Sequence, residues 1–302
     1  MDGTADLFWT PRRKGVLLLV LATACWSSAG LFARGIPVDA WTMQFWRAAS
    51  GAAFLLATLV VQFGWRAPGR VLRLDRASLL AIPCSALSMI GYITALHLTS
   101  VAEVMVVYAT QPFVTAAMAW LFLREPMGRR TALAAAIALA GICVTIVGGE
   151  LGTPGSHRLL GDLVAFLMVI GFAAIFVVAR GKPGAAIVSV NILAATLSAL
   201  ICLPLASPLA ASWPSLALLV IFGFLTLGLG LTLLSAGARL IPAGEAALLT
   251  LLDVPLGPFW VWLAFGETPG LATVAGGTIV MGAVLWQMRG DEVVPRIAPK
   301  SA

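Results

Sequence analysis

The chain has 302 residues, of which 60% are hydrophobic and only 11% charged, with a mean hydropathy of +1.00. A soluble domain carries about 25% charged residues, so this composition excludes a soluble protein and indicates an integral membrane protein. The net charge of +6 does not indicate a nucleic-acid partner, because the topology of a membrane protein by itself concentrates Lys and Arg in cytoplasmic loops.

Ten apolar stretches of about 20 residues follow one another along the chain, each long enough to cross a bilayer. We number them segment 1 to segment 10. They cover residues 16–34, 40–62, 77–98, 101–123, 131–149, 161–179, 185–206, 214–236, 243–265 and 270–288. The sequence therefore predicts an all-α integral membrane protein with ten transmembrane helices.

The basic residues predict how the chain is oriented. If the N-terminus is cytoplasmic, all 19 Lys and Arg residues except Arg34, Arg47 and Arg158 fall in cytoplasmic loops and tails. The positive-inside rule then places both termini, residues 1–14 and 289–302, in the cytoplasm. An even number of transmembrane helices is consistent with this placement.

Two pairs of segments are similar in sequence, which indicates an internal repeat. Segment 1, "GVLLLVLATACWSSAGLFARG", aligns with segment 6, "GDLVAFLMVIGFAAIFVVARG", so that Arg34 pairs with Arg180. Segment 4 aligns with segment 9, so that Glu125 pairs with Glu267. Two five-helix repeats, 15–149 and 161–288, are predicted. Since five is odd, the second repeat is inverted in the membrane, and in secondary transporters such repeats enclose a substrate site near the midplane.

Polar side chains inside the segments are predicted to lie at similar depths, given the rise of about 1.5 Å per residue in a helix. They are Trp26, Arg47, Tyr92, Tyr108, Gln111 and Asp253. An ionisable side chain at the bilayer centre costs at least about 2.5–3.5 kcal/mol and usually marks a functional site. We predict that these six residues line a central cavity on the substrate pathway.

The roles of these residues have alternatives. Arg47 would anchor a substrate carboxylate or pair with Asp253, or it would clamp backbone carbonyls or extend to the membrane surface. Asp253 would bind a substrate ammonium group or a coupling proton, or it would stay neutral and donate one hydrogen bond to a carbonyl. Trp26 would stack on a flat substrate or pack in the core. Tyr92 and Tyr108 lie away from the interfaces, which favours lining of the cavity.

Three prolines lie beside these polar residues. Pro255 and Pro258 follow Asp253, and Pro112 follows Gln111, which is the repeat counterpart of Asp253. Each proline lacks an N–H group and frees the carbonyl four residues before it. We expect a kink just beyond Asp253 and a mirror kink in segment 4. Loosened backbone at membrane depth is tolerated in a cavity wall.

Residues near the ends of the segments are candidates for a gate or vestibule. Glu103 and Glu245 each lie two residues inside a segment, where an acid would also cap a helix N-terminus. His97 would be a pH-sensitive gate or an ordinary loop histidine. Four separated cysteines and two histidines do not form a metal site, and we expect no metal.

Three stretches of the chain form a recognisable set of motifs. They are "FWRAASGAAFLL" in segment 2, "SVAEVMVVYATQPFVTAAMAWLFLREP" in segment 4 and "GEAALLTLLDVPLGPFWVWLAFGETP" in segment 9. Together they resemble the EamA-type branch of the drug/metabolite transporter superfamily. The resemblance covers about residues 15–288 and is greatest, in length and plan, to bacterial inner-membrane amino-acid exporters, including the aromatic type. It implies a multi-pass protein of a bacterial-type cytoplasmic (inner) membrane. The family pattern usually has an apolar or small residue in place of Asp253.

These features predict a secondary transporter that exports amino acids or similar small metabolites by alternating access. The alternatives are an exporter of drug-like cations or other metabolites, and a channel or structural subunit. The chain has no G-x-x-x-x-G-K-[ST] loop, so we expect no bound ATP and no cofactor. It has no H-E-x-x-H motif or paired-acid motif, so we do not expect an enzyme. The expected partners are a small-molecule substrate and the lipid bilayer.

Overall fold

A computed structural model describes residues 10–64, 74–124, 128–152, 157–179, 184–241, 246 and 249–288. Within these ranges the chain is helical and contains no strand. The elements are α1 (Pro11–Ser27), α2 (Ala29–Gly35), α3 (Ala40–Phe63), α4 (Arg76–Leu98), α5 (Val101–Tyr108), α6 (Gln111–Leu123), α7 (Arg129–Gly152), α8 (Arg158–Ala179), α9 (Gly184–Cys202), α10 (Trp213–Gly223), a π-helical segment (Phe224–Leu229), α11 (Gly230–Gly237), α12 (Asp253–Phe265) and α13 (Leu271–Met288).

Seven helical stretches within the described ranges are long and apolar enough to cross a membrane. They are Pro11–Gly35, Ala40–Val61, Ser78–Leu98, Val101–Leu123, Arg129–Gly148, Trp213–Gly237 and Leu271–Met288. Val188–Cys202 is a shorter apolar helix. The prediction of an all-α, multi-pass membrane protein is confirmed. The count of ten transmembrane helices and the inverted repeat stay predictions, and residue 245 and the tails 1–9 and 289–302 lie outside the described residues.

The first helix begins earlier than its hydropathy suggests. α1 starts at Pro11, within the stretch 1–14 that the sequence analysis assigned to a tail. Thr10 caps the helix, because its side-chain oxygen accepts a hydrogen bond from the N–H of Arg13 at 3.3 Å. Pro11 suits the first helical position, where a backbone N–H has no partner within the helix. Capping residues therefore set this boundary, and the apolar run begins later.

Two of the membrane-spanning stretches are interrupted by turns, and at each turn a hydroxyl side chain donates a hydrogen bond to a backbone carbonyl. α1 gives way to α2 at Ser28, whose hydroxyl donates to the carbonyl of Cys25 at 2.6 Å. α5 gives way to α6 at Ala109 and Thr110, and the Thr110 hydroxyl donates to the carbonyl of Val107 at 2.7 Å. Such back-bonding offers the backbone an alternative to the helical ladder. The hydroxyls satisfy carbonyls that a break would otherwise leave unpaired in an apolar medium.

α6 and α12 have the same construction. Each has 13 residues, and each follows a two-residue turn, at 109–110 and at 251–252. Each also ends at a residue in the left-handed conformation, Arg124 at φ 55° and Gly266 at φ 68°. All of these positions are 142 residues apart, which is the spacing at which segments 4 and 9 align. The sequence similarity therefore extends to the geometry of the backbone.

The prolines lie after the turns rather than within them. The turn at 251–252 precedes Asp253, whereas the sequence analysis placed the kink beyond it. Pro255 occupies the first turn of α12, and Pro112 the first turn of α6, where a missing N–H removes no helical hydrogen bond. Pro258 lies inside α12 without ending the helix. The prolines therefore favour a new helical start just before them.

The helices meet in closely packed pairs around a central buried cluster. The most extensive packing joins α7 to α13, α4 to α8, and α3 to α9. The largest apolar cluster contains residues of α2, α4, α5, α12 and six further helices. Small residues allow this close approach, since lipid supplies little hydrophobic force between helices and their association depends on packing.

Gly276 is the residue at which this packing is easiest to test. A Cβ atom there would lie closer than 3.0 Å to the Gly141 carbonyl and to the Thr145 hydroxyl of α7. We expect Gly276→Ala to destabilise the protein by about 1–3 kcal/mol through overpacking. The matched control is Gly282→Ala on the same helix, where nothing lies within 4 Å of the added atom. Equal melting temperatures of the two variants in detergent would contradict the close contact between α7 and α13.

Candidate functional site

Arg47 of α3 is buried and is positioned by other polar side chains. It is 6% exposed, and its Nε donates to Thr226 Oγ1 at 3.2 Å. Its Nη1 donates to Oε1 of Gln44, one turn earlier, at 3.3 Å. Gln44 Nε2 in turn donates to Ser198 Oγ of α9 at 2.7 Å. The guanidinium is thus held inside the protein and does not extend to the membrane surface.

Two aromatic rings flank the Arg47 guanidinium. Its Cζ lies 5.6 Å from the ring centroid of Tyr92 and 5.2 Å from that of Phe222. Phe222 also stacks on Phe32, with centroids 4.7 Å apart and an interplanar angle of 16°. Aromatic faces attract a cation within about 6 Å. The rings therefore stabilise the positive charge without using its hydrogen-bond donors.

Most of the donors of Arg47 remain available. A guanidinium has five N–H donors, and the described hydrogen bonds, to Thr226 and Gln44, use two of them. No carboxylate of the described residues forms an ion pair with Arg47. The group can therefore accept an incoming anion while keeping its present contacts.

Thr226, in the π-helical segment, connects Arg47 to Trp26. Its hydroxyl accepts from Arg47 and donates to the carbonyl of Phe222 at 2.8 Å. Its backbone carbonyl accepts from Trp26 Nε1 at 2.7 Å. Short π-helical segments occur frequently at functional sites. Here the widened helical turn presents a carbonyl to the indole of α1, which fixes the orientation of Trp26.

Asp253 is the first residue of α12 and is also 6% exposed. Its Oδ1 is buried and has no hydrogen-bond partner among the described residues. Its position at a helix N-terminus favours a negative charge. The carboxyl interacts electrostatically with the hydroxyls of both Tyr92 and Tyr108. Because Tyr92 also interacts with Arg47, one tyrosine lies within range of both the cation and the acid.

We call Trp26, Arg47, Tyr92, Tyr108 and Asp253, together with Gln44, Phe222 and Thr226, the polar cluster. Tyr108 ends α5 just before the helical break, and its ring meets Phe172 of α8 edge to face at 6.3 Å. The cluster contains a guanidinium with unused donors and an acid with an unpartnered oxygen. Such an arrangement is suited to a small molecule that carries both an anionic and a cationic group.

The remaining candidates lie at helix ends. Gln111 is half-buried at the start of α6, and Pro112 is exposed beside it. The Nδ1 atom of His97 lies 2.9 Å from the Ile93 carbonyl of its own helix. None of these three has a described contact with the polar cluster.

Glu103 caps the N-terminus of its own helix, α5. Its carboxylate accepts from the backbone N–H of Ser100 at 3.2 Å, and its N–H donates to the Ser100 hydroxyl, which completes a capping box. Arg158 approaches the Glu103 carboxylate at 4.0 Å. The capping interpretation of Glu103 therefore has direct geometric support. Glu245, its repeat counterpart, lies outside the described residues.

Sequence reasoning did not select Gln44, Thr226 or Ser198, which lie in or next to the polar cluster. Gln44 lies three residues before Arg47, so the two share a helix face, and this spacing was a usable signal. Thr226 and Ser198 are single hydroxyls in apolar runs, and such residues usually bond to a carbonyl of their own helix. Their contacts with Arg47 and Gln44 join residues 179 and 154 positions apart. Only the folded structure brings them together.

Comparison with known proteins identifies the first half of the chain. Residues 13–147, which include Arg47, Tyr92 and Tyr108, match the model of the EamA-like transporter family. These residues form an EamA-like transporter domain. The resemblance to EamA-type transporters within the drug/metabolite transporter superfamily is therefore confirmed for this domain.

Two further comparisons extend beyond the EamA domain. The Saccharomyces cerevisiae "Probable transport protein YPL264C" is 25% identical over 226 residues, which cover 65% of this chain. The aligned region spans 62% of the yeast protein, less than two thirds of its length. A crystal structure of another protein superposes with a TM-score of 0.60 over 91% of this chain and 96% of that chain, at 19% identity. This likeness concerns the fold alone, and it includes nearly the whole chain.

Proposed function

We propose that this protein is a secondary transporter that exports amino acids or similar small metabolites by alternating access. The membrane is a bacterial-type cytoplasmic membrane with both termini on the cytoplasmic side, and the chain forms two inverted five-helix repeats, 15–149 and 161–288. One observation carries the proposal. Arg47 with unused donors and Asp253 with an unpartnered oxygen are both buried, and both interact with Tyr92.

The energetics of buried charge favour a ligand with two charges. Each ionisable side chain near the bilayer centre costs at least about 2.5–3.5 kcal/mol. A carboxylate on Arg47 and an ammonium group on Asp253 would compensate both costs at once. Because Tyr92 interacts with both side chains, we place the α-carbon of a bound amino acid beside its ring. The side chain of the substrate would then contact the aromatic rings of Trp26 and Phe222.

The helical breaks support alternating access. The break at Ser28, the break at 109–110, the turn at 251–252 and the π-helical segment are each within a few residues of Trp26, Tyr108, Asp253 or Thr226. Hinges are residues at the ends of elements that absorb backbone rotation. Rotation at these breaks would open the polar cluster to one side of the membrane and then the other. The matching construction of α6 and α12 supports two such states related by the repeat.

A second candidate is export of drug-like cations. The electrostatic interaction of Asp253 with Tyr92 and Tyr108 favours it, because an acid within range of aromatic rings suits an organic cation. Arg47 argues against it, since a guanidinium flanked by Tyr92 and Phe222 would repel a ligand that carries only positive charge.

Counterflow in proteoliposomes tests the proposal. Vesicles with the purified protein are loaded with an unlabelled amino acid, and labelled amino acid is added outside in trace amounts. We expect saturable accumulation of label, which a carrier produces and a channel does not. The same assay is run with a carboxylic acid that lacks the amine and with an organic cation. Accumulation of the cation alone would replace the amino-acid proposal, and linear flux without accumulation would indicate a channel.

A further inference from the structure

An ion pair distant from the polar cluster joins four membrane helices at one end. Arg34 near the end of α2 donates from Nε to Glu267 Oε2 at 2.7 Å and from Nη2 to Glu267 Oε1 at 3.4 Å. Its Nη1 also donates to the carbonyl of Leu96, and its Nη2 to that of Thr99 at 2.9 Å. Glu267, just after α12, accepts from the N–H of Val101 at 3.3 Å. The pair thus connects α2, the end of α4, the start of α5 and the end of α12.

Arg34 and Glu267 each also lie at a helix end whose partial charge is opposite to their own. Arg34 binds carbonyls at the C-terminal end of α4, where partial negative charge accumulates, and Glu267 binds an N–H at the positive N-terminal end of α5. The contact therefore involves backbone groups on two helices as well as the two side chains. α5 and α12 are the elements that begin or end at breaks beside Tyr108 and Asp253. A contact that holds α5 and α12 at one end is therefore positioned to limit access to the polar cluster from that end.

We propose that Arg34 and Glu267 form the gate that closes this side of the transporter, and that the pair separates when this side opens. The proposal rests on the transport function and does not depend on the identity of the substrate. In the described state the gate is closed.

The exposure of the pair suits a contact that must break in each cycle. The side chains are 25% and 29% exposed, so solvent replaces their hydrogen bonds when they separate. An exposed ion pair changes an equilibrium by up to about fivefold. A fully buried pair would be much more costly to break. In the sequence, the repeat pairs Arg34 with Arg180 and Glu267 with Glu125, and the two partners lie outside the described residues.

Thiol labelling tests the gate without any substrate. Cys25, Cys84, Cys143 and Cys202 are replaced by alanine, and Ala29→Cys places a reporter on α2 between Trp26 and Arg34. Ala29 is buried in the closed state. A membrane-impermeant maleimide is applied to vesicles of each orientation, so that each membrane face is tested separately. If this reporter does not fold, Ala33→Cys on the same helix replaces it.

We expect Arg34→Gln and Glu267→Gln each to raise the labelling rate about two- to fivefold from the Arg34 side only. The double variant should match the single variants, because both substitutions remove one contact. Arg130→Gln is the control, since it removes a contact between Arg130 and Trp286 that involves α7 and α13 instead. Unchanged labelling, or an equal rise from both sides, would overturn the proposal. If labelling responds as expected but no amino acid shows counterflow, the gate stands and the proposed substrate is wrong.

Discussion

Arg47→Ala is expected to lower the initial rate of amino-acid counterflow by at least about 30-fold. Removing one partner of a buried, hydrogen-bonded charge pair costs about 2–5 kcal/mol, and 1.4 kcal/mol corresponds to tenfold. Arg47→Lys should retain part of the rate, since lysine keeps the charge but lacks the planar fork that binds a carboxylate through two hydrogen bonds. Initial rates across a range of substrate concentrations would measure both effects.

Arg47→Ala should leave most of the neighbouring hydrogen bonds intact, and only the buried Oε1 atom of Gln44 loses its donor. Thr226 still donates to the carbonyl of Phe222, and Gln44 still donates to Ser198. The variant should therefore be monodisperse in detergent. The control is Arg130→Ala, because Arg130 also lies over an aromatic ring, 5.0 Å from the centroid of Trp286, but on the first turn of α7. Saturable counterflow by Arg47→Ala at the normal rate would show that the guanidinium does not bind substrate.

Asp253→Asn is expected to reduce the apparent affinity for amino acids by about 10- to 150-fold. A hydrogen bond to a charged group contributes about 1.5–3 kcal/mol, and asparagine keeps the size of the side chain while losing its charge. The loss should depend on the ligand. A carboxylic acid without the amine should compete equally well for the variant and the parent protein, because it does not use Asp253.

Competition against labelled amino acid measures this selectivity directly. The ratio of the inhibition constants of the amine-bearing and amine-free ligands should approach one in Asp253→Asn. Asp253→Glu is the companion variant, since it keeps the charge and moves it by one methylene group. An equal loss for both ligands in Asp253→Asn would indicate that the acid supports the start of α12 and does not bind the ammonium group.

The positions of the helices could be predicted from the sequence because hydropathy is a local property. Each described helical stretch overlaps an apolar segment, and boundaries such as Ala40 and Leu98 fall within a residue or two of the predicted ones. Asp253 and Arg47 stood out for a related reason, since an ionisable residue is conspicuous in an apolar run. Local composition alone was sufficient to select both residues.

The partners of these residues depend on the tertiary fold. Nothing near Thr226 in the sequence distinguishes it from a hydroxyl that only bonds its own helix, yet it contacts both Arg47 and Trp26. The Arg34–Glu267 pair joins residues 233 positions apart, and the sequence pairs each of them with its repeat counterpart but not with each other. The position of the helical turn was also mistaken, because the missing N–H of Pro255 has two outcomes. The missing N–H either breaks the helix around the proline or favours a new helix that begins just before the proline.

The ends of α6 and α12 share one backbone geometry but differ in the residue that adopts it. Gly266 adopts its left-handed conformation freely, whereas Arg124, at φ 55°, bears a steric cost of about 1–2 kcal/mol for the same shape. Glycine at position 124 would make a more stable helix end. Arginine there instead adds a positive charge to the set on which the predicted orientation of the chain depends. The predicted orientation would therefore account for an arginine at a position where its backbone conformation is strained.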